Sequence, residues 1–350
     1  MKLEKVVLRP YALPLKTFWR AARATLAERQ GVLVGVFAGD FFGWGDCAPL
    51  PSFSSAQDRA QVFAALEHAA QFLHGATLDD ALAGLAAIGN AQARWAVETA
   101  LLDLFAREKK MPLHRALGAK PARRLTVNAA VGALDDGFCA RIAAAMAEGF
   151  FIVKIKVGVF DALEEARILR AAAGGGLRFR LDANRAWSGE EARRFLDAVA
   201  DLAIDGVEEP LARPTLDDLR RLQDRYAFPL AVDESLFELG PANLFAARAV
   251  RRLVMKPARI GGFGATMRLA KNAADAGMEV VITSVVDSAI GVAAAAQLAA
   301  AIDPGQAHGL ATGSWLARDV APPLRLSEGA LVLPDGPGLG LAPEREFAQL

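Results

Sequence analysis

Residues Phe151–Val157 read FIVKIKV, an apolar strand interrupted by two lysines. Side chains alternate across a strand, so Lys154 and Lys156 share a face. A buried strand tolerates two ammonium groups on one face only where something there uses or neutralises them. Candidates follow at near-regular spacing, each closing a short apolar run: Asp182 in RLDANRAW, Glu208 in DGVEEP, Asp233 in LAVDES and Lys256 in LVMKPARIGG. Successive positions lie about 25 residues apart, close to one strand-plus-helix unit of a βα barrel. Parallel strands would bring these groups to their carboxyl ends, where barrel enzymes keep their chemistry.

Outward from this stretch the same rhythm continues. From residue 124, the runs RLTVNAAVG, FIVKIKV, LRFRLDA, GVEEP, PLAVDES, RRLVMKP, MEVVITS and AHGLATG read as short strands. The segments between them, SAIGVAAAAQLAAA included, read as amphipathic helices. Eight strands alternating with helices predict an α/β fold, a closed (β/α)8 TIM-type barrel. An open doubly wound sheet is the alternative, but no GxGxxG follows any strand.

Before residue 121 the pattern differs. VVLRPYALPL and GVLVGVFAGDFFGWGDCAPL read as antiparallel strands, the latter two runs joined by a turn at Gly39–Asp40. Helical periodicity then occupies 55–75, 78–87 and 90–108. Strands followed by helices, without alternation, predict an α+β domain over 1–120 and a barrel domain over 121–322. The C-terminal segment 323–350, with two short strands and a Pro/Gly turn, is expected to return to the first domain.

The whole chain has 350 residues, which suits a barrel of roughly 250 with an added domain of roughly 100. Forty basic side chains balance forty acidic ones, so no net charge draws the protein to nucleic acid or anionic lipid. No stretch reaches the roughly 18 uncharged apolar residues of a membrane span, and the N-terminus lacks the form of a signal peptide. Cys47 and Cys139 form no CxxC pair, so neither a disulfide framework nor a zinc site is expected. These features point to a cytoplasmic protein. Nothing in them excludes a homo-oligomer.

Three carboxylates on consecutive strands suit a hard divalent cation, magnesium or alternatively manganese. Such a cation leaves room for a substrate carboxylate and stabilises the charge that develops when the α-proton of that carboxylate leaves. Lys156 lies on one flank of the carboxylates and Lys256 on the other, so either could serve as the base.

KIK, DAN, EEP, DES and MKP in this order resemble the enolase superfamily, in its muconate-lactonizing-enzyme branch. The resemblance covers essentially the whole chain. GWGDCAPLPSFS resembles the branch's capping-domain loop, ARWAVETALLDLFA its capping helix and PDGPGLGL its C-terminal return. It implies a modified barrel with an α+β N-terminal capping domain. Residue by residue, it implies Asp182, Glu208 and Asp233 as metal ligands, Lys156 as general base and Lys256 as the lysine opposite. Lys154, Asn184, Ser284 and Gly313 would line the site.

Within the branch, GDCAPLPSFS, VVITSVVDSAIG and HGLATGSWLARDV are most like the o-succinylbenzoate synthases. That likeness implies syn dehydration of a succinyl-hydroxycyclohexadiene carboxylate, a step towards menaquinone. Two pairs depart from the pattern: Thr283-Ser284 stands for Ser-Ser, and Asp287-Ser288 for Glu-Ser. The segment KTFWRAARATLAERQ should form a loop over the substrate, with Lys16, Arg20, Arg23 and Arg29 as candidate partners for a succinyl carboxylate.

Other reactions of the same scaffold compete: an N-succinylamino acid racemase, which would use both lysines, or a muconate-type cycloisomerase. A dipeptide epimerase fits less well, because Ala-Thr-Gly-Ser-Trp occupies the strand-eight position where such enzymes carry Asp-x-Asp. A non-catalytic descendant is the third class, and the filled catalytic positions argue against it. Glu209 and Glu234 should face away from the ligands, and the four histidines read as packing or surface residues, His308 in the barrel floor. Cys47 reads as a buried small residue.

Overall fold

The computed structural model describes residues 1–20, 25–49, 56–303 and 305–348. Three long strands begin the chain: β1 (Lys5–Arg20), β2 (Thr25–Ala38) and β3 (Phe41–Cys47). They form one antiparallel sheet in chain order. The β2–β3 hairpin turns at Gly39–Asp40, pairing Ala38 with Phe41, and Gly39 supplies the φ of +55°. Most of KTFWRAARATLAERQ continues the β1–β2 hairpin as strand rather than loop, with a register shift between Pro14 and Trp19. Arg23, and the side chain of Arg20, lie outside the described residues.

The helix Ala91–Glu108 packs on β3. Its first turn is capped by Asn90, which accepts from Ala93 N at 3.0 Å. Gly43 and Gly45 permit the close approach: a Cβ at either would run into the helix backbone, at Ala100 O or Ala96 O.

The barrel follows. Its strands are β5 (Ala129–Ala133), β6 (Ile152–Lys156), β7 (Arg178–Asp182), β8 (Ile204–Glu208), β9 (Leu230–Val232), β10 (Arg252–Met255) and β11 (Glu279–Ile282). All are parallel and adjacent in chain order. The eighth position is held by His308 and Gly309, which make parallel bridges to Val127 and Thr283 and close the ring. The expected eighth strand is therefore present as single bridges. Its AHGLATG sequence, rich in glycine and alanine, has little β propensity. Strand-facing helices begin where expected, as with the capping box of Ser188 and Glu191 ahead of Gly189–Val199.

One helix differs from its sequence reading. Ala289–Ile302 is not amphipathic: residues 289–300 are all buried. It packs into the barrel core on one side and, on the other, into a core shared with Val7, Trp44 and Trp95 of the N-terminal part. A helix buried all round needs apolar or small residues on every face, and AIGVAAAAQLAAAI has them.

The C-terminal stretch serves both parts. β12 (Leu326–Ser327) and β13 (Ala330–Val332) form a small antiparallel sheet with β4 (Arg124–Thr126). Beyond them Leu339 N donates to Asp103 Oδ1 at 2.7 Å, and Arg107 Nη2 to Leu341 O at 2.6 Å, both on the helix Ala91–Glu108.

Candidate active site

Register places the site residues in one layer. Lys156 pairs with Asp182 across β6–β7, and Asp182 with Glu208 across β7–β8. Asp233 directly follows β9 and Lys256 directly follows β10. All five thus stand at the carboxyl ends of consecutive parallel strands, as alternation and spacing require.

The two lysines of β6 have different neighbours. Lys154 Nζ lies 2.8 Å from Asp182 Oδ2 and 2.7 Å from Glu208 Oε2. Burial works against its ammonium, but the two carboxylates outweigh this and raise its pKa. Lys156 makes no hydrogen bond or ion pair among the described residues. Lys256 is bonded to Asp233 and lies 3.8 Å from Glu234 Oε1. Its pKa is likewise raised: burial opposes the charge, and Asp233, Glu234 and Glu208 prevail.

Glu208 is buried, and burial together with the like charge of Asp182 pushes its carboxyl up to about 8. Among the described residues no group of three or more His, Cys, Asp or Glu side chains is arranged to hold a metal ion. Asp182 and Glu208 lean instead on Lys154, and Asp233 on Lys256. The donor chemistry nevertheless fits a hard dication. The candidate donors are all carboxylate oxygens, two of them already collect a cation between them in Lys154, and burial disfavours the charge of Glu208 unless a further cation offsets it.

The remaining predicted residues surround this layer. Asn184 donates from Nδ2 to Asp182 Oδ1 at 2.6 Å. Ser284 Oγ and Thr312 Oγ1 are 2.8 Å apart, joining the loop after β11 to the loop before Gly313. Gly313 opens the short turn Gly313–Trp315.

Glu209 faces away from its neighbour Glu208, as alternation implies. It accepts from Asp233 N at 2.7 Å, Ser235 N at 2.8 Å and Ser235 Oγ at 2.5 Å, with Arg185 Nε at 3.3 Å. It therefore fixes the chain on which Asp233 sits. Glu234 does not turn away: it shares Lys256 and Arg259 with Asp233. Of the seven non-glycine residues with positive φ among the described residues, four, Asn184, Arg185, Glu209 and Val286, lie on loops of this rim. Strained backbone of this kind collects where surrounding bonds over-determine it.

Sequence reasoning missed Asp46, a second buried carboxylate that meets Asp287 and Ser288 beside the site. Asp46, at the end of β3, accepts from Tyr11 OH at 2.6 Å, Ser288 Oγ at 2.9 Å and Ser288 N at 3.1 Å. Asp287 is buried there too, and burial followed by the charge of Asp46 pushes its carboxyl up to about 7. An aspartate inside the apolar run FFGWGDC was the available signal, of the same type as the lysines of FIVKIKV. Arg29, a candidate partner for a substrate carboxylate, is 1% exposed and bonds backbone carbonyls only, whereas Lys16 is exposed. Gly261 and Gly262 form a tight turn against the helix Ala91–Glu108, where Arg94 Nε donates to Gly261 O at 2.7 Å and Glu98 accepts from Gly264 N at 2.9 Å. Cys47 is buried, and burial raises its thiol pKa.

Comparison with known proteins gives the same outline. Residues 138–347 match the family described as "Enolase C-terminal domain-like", and residues 3–95 match "MenC, N-terminal domain". The chain is 30% identical over 321 residues to the o-succinylbenzoate synthase of Yersinia pseudotuberculosis serotype O:1b (strain IP 31758), covering 89% of this chain and 91% of that one. It is 29% identical over 317 residues to the L-Ala-D/L-Glu epimerase of Bacillus subtilis (strain 168), covering 86% and 85%. The solved dipeptide epimerase from Cytophaga hutchinsonii, complexed with Mg and the dipeptide D-Ala-L-Val, superposes with a TM-score of 0.87 at 25% identity, covering 99% and 97%. No helix among the described residues is long and apolar enough to cross a membrane.

Proposed function

This chain belongs to the enolase superfamily, and from that premise we propose that it is an o-succinylbenzoate synthase. In this reading it is a carbon–oxygen lyase that dehydrates 2-succinyl-6-hydroxy-2,4-cyclohexadiene-1-carboxylate on the route to menaquinone. The observation that carries the reaction class is the order Lys156, Asp182, Glu208, Asp233, Lys256 across five consecutive strand ends.

Lys156 takes the proton α to the substrate carboxylate. It then gives that proton to the leaving hydroxyl on the same face, as a syn elimination requires. Lys256, on the far flank, sets a cation against the enediolate that loss of the proton leaves. Asp182, Glu208 and Asp233 would hold Mg2+, with Mn2+ as the alternative. When bound, the ion supplies positive charge that makes the α-proton more acidic. Glu209 and Arg185 keep the Asp233 chain in place. The pairing supports one moving lysine: Lys256 is bonded to Asp233, while Lys156 has no such partner among the described residues.

The MenC-type match over residues 3–95 supports the succinyl substrate. So does the stretch Ala311–Trp315, which offers no carboxylate to a dipeptide amine. The reading makes a small carboxylic acid the partner and the cytoplasm the compartment. The second reading is α-proton exchange at the same site in place of dehydration, as in an N-succinylamino acid racemase, and the nearly equal identity to the Bacillus epimerase favours it; a muconate-type cycloisomerase is the further alternative on this scaffold.

Purified protein with Mg2+ should be offered the cyclohexadiene carboxylate, N-succinylamino acids and L-Ala-L-Glu in deuterated water. The synthase reading expects kcat/KM for the first to exceed α-proton exchange of the others by at least about 100-fold. Chelation should abolish it and Mg2+ restore it. Exchange of an N-succinylamino acid without dehydration would move the protein to the second reading.

A further inference from the structure

Arg29 lies on β2, far in sequence from the barrel, yet it is built into the rim. Its Nε donates to Val286 O at 3.0 Å, its Nη1 to Pro49 O at 3.0 Å and its Nη2 to Ala48 O. Val286 belongs to the loop after β11, and Ala48 and Pro49 to the stretch that follows β3. One planar fork therefore fastens two chain segments from opposite parts of the molecule, and each acceptor is a backbone carbonyl. The bonds set the path of the chain rather than the pose of a side chain.

Val286 shows what the fork restrains. Its φ is +62°, and it is 3% exposed. A branched side chain avoids the left-handed region, so this conformation persists only under constraint. The constraints are visible. Arg29 holds the carbonyl of Val286 itself, Asp287 Oδ2 accepts from Val285 N at 3.4 Å, and Asp46 Oδ2 accepts from Ser288 N at 3.1 Å. The same loop begins at Ser284, which reaches across to Thr312.

We propose that Arg29 is a positioning residue, which holds residues 284–287 in their strained form and fastens the 48–49 stretch to them, so that both meet the substrate as one wall. The inference rests on the reaction site proposed above and deepens it: Arg29 acts on substrate fit through Ser284 and not by touching substrate. Loss of the fork lets Val286 relax to negative φ and withdraws Ser284 from its place.

Arg29→Met removes the donors and keeps most of the volume. Two readings are taken on wild type, Arg29→Met, and Arg29→Met combined with Val286→Gly. One is amide hydrogen exchange over residues 285–289 without substrate; the other is KM and kcat for the cyclohexadiene carboxylate. Arg29→Met should speed exchange in that segment and raise KM at least about tenfold, with a smaller change in kcat. Glycine adopts +62° without restraint, so Val286→Gly should recover part of the lost KM, a recovery that a merely destabilised fold would not show. Should Arg29→Met fail to fold, Arg29→Lys, with one point donor in place of a fork, is expected to shift both readings in the same direction by less. Unchanged exchange, or a KM loss that Val286→Gly leaves untouched, would overturn the proposal. A wild type that does not turn over the succinyl substrate would sink the synthase reading alone, because the exchange measurement needs no substrate.

Discussion

Lys154 and Lys156 share a strand face, and His308 closes the ring on which that face stands. Ile282 N donates to His308 Nδ1 at 3.0 Å, so the ring proton sits on Nε2, which donates to Asp303 O at 2.8 Å. The first bond, in which Nδ1 accepts, requires the neutral ring. Burial accordingly lowers its pKa from 6.5 to about 4. Between those values the unfolded chain binds a proton that the folded chain refuses. Stability therefore falls as pH drops through this window, by about 3 kcal/mol in all. Asp103 and Asp319, raised to about 6 mainly by burial, act in the opposite sense, because acid relieves their buried charge. The histidine is isolated by comparison with His308→Asn, which does not titrate. Urea midpoints at pH 7, 5.5 and 4.5 should drop more steeply for wild type than for the variant, and parallel curves would refute the assignment. At this scale the carboxylates and lysines of the site were legible, because a charge in an apolar run signals its own exception. Arg29 stands in the sequence as only one of four candidate partners for a succinyl carboxylate, because nothing local reports a partner 257 residues away.

The strands show why a barrel floor is harder to read than its mouth. Asp205 on β8 sits between Arg180 on β7 and Arg252 on β10, at 2.8 Å from each, and all three are buried. Arg180 also donates to Asn128 Oδ1 at 3.0 Å and Ala307 O at 2.8 Å. Removing the central carboxylate leaves buried Arg180 with no paired anion among the described residues and Arg252 with Glu279 alone. Asp205→Ala should cost about 3–5 kcal/mol in urea unfolding, whereas a loss under about 1 kcal/mol would mean that water replaces the carboxylate. The sequence marks Asp205 and Arg252 only as charges at strand starts, where a solvated end is the ordinary outcome, and Arg180 as a charge inside RFRLD with no partner in view. The strands themselves were plain, because each apolar run closes on a turn. Two elements escaped. The eighth strand is reduced to bridges, and Ala289–Ile302 is apolar on every face. Period alone reports which side of a helix is buried, and a helix buried on all sides has no period to report.

Across the whole molecule, the sheet of β1–β3 and the barrel share a core. Val7, Trp44 and Trp95 pack in one cluster with Phe263, Ile290, Leu298 and Leu339, and Trp95 stacks on Phe263 at 4.9 Å. Polar ties reinforce it at Arg29, Asp46 and Arg94. The two parts should therefore lose structure together. Urea curves from tryptophan fluorescence, to which Trp44 and Trp95 contribute, and from far-UV circular dichroism should coincide, and separated transitions would show that the shared core does not couple them. Such coupling suits a site whose chemistry stands on the barrel while Arg29 and Asp46 reach it from the other part. The proposed role of Lys156, moving the α-proton there, is tested by turnover of the cyclohexadiene carboxylate by wild type and Lys156→Ala with Mg2+, alongside urea midpoints. A fall of about 100- to 10,000-fold in kcat with the midpoint unchanged is expected. A variant that keeps its rate to within about tenfold would contradict it.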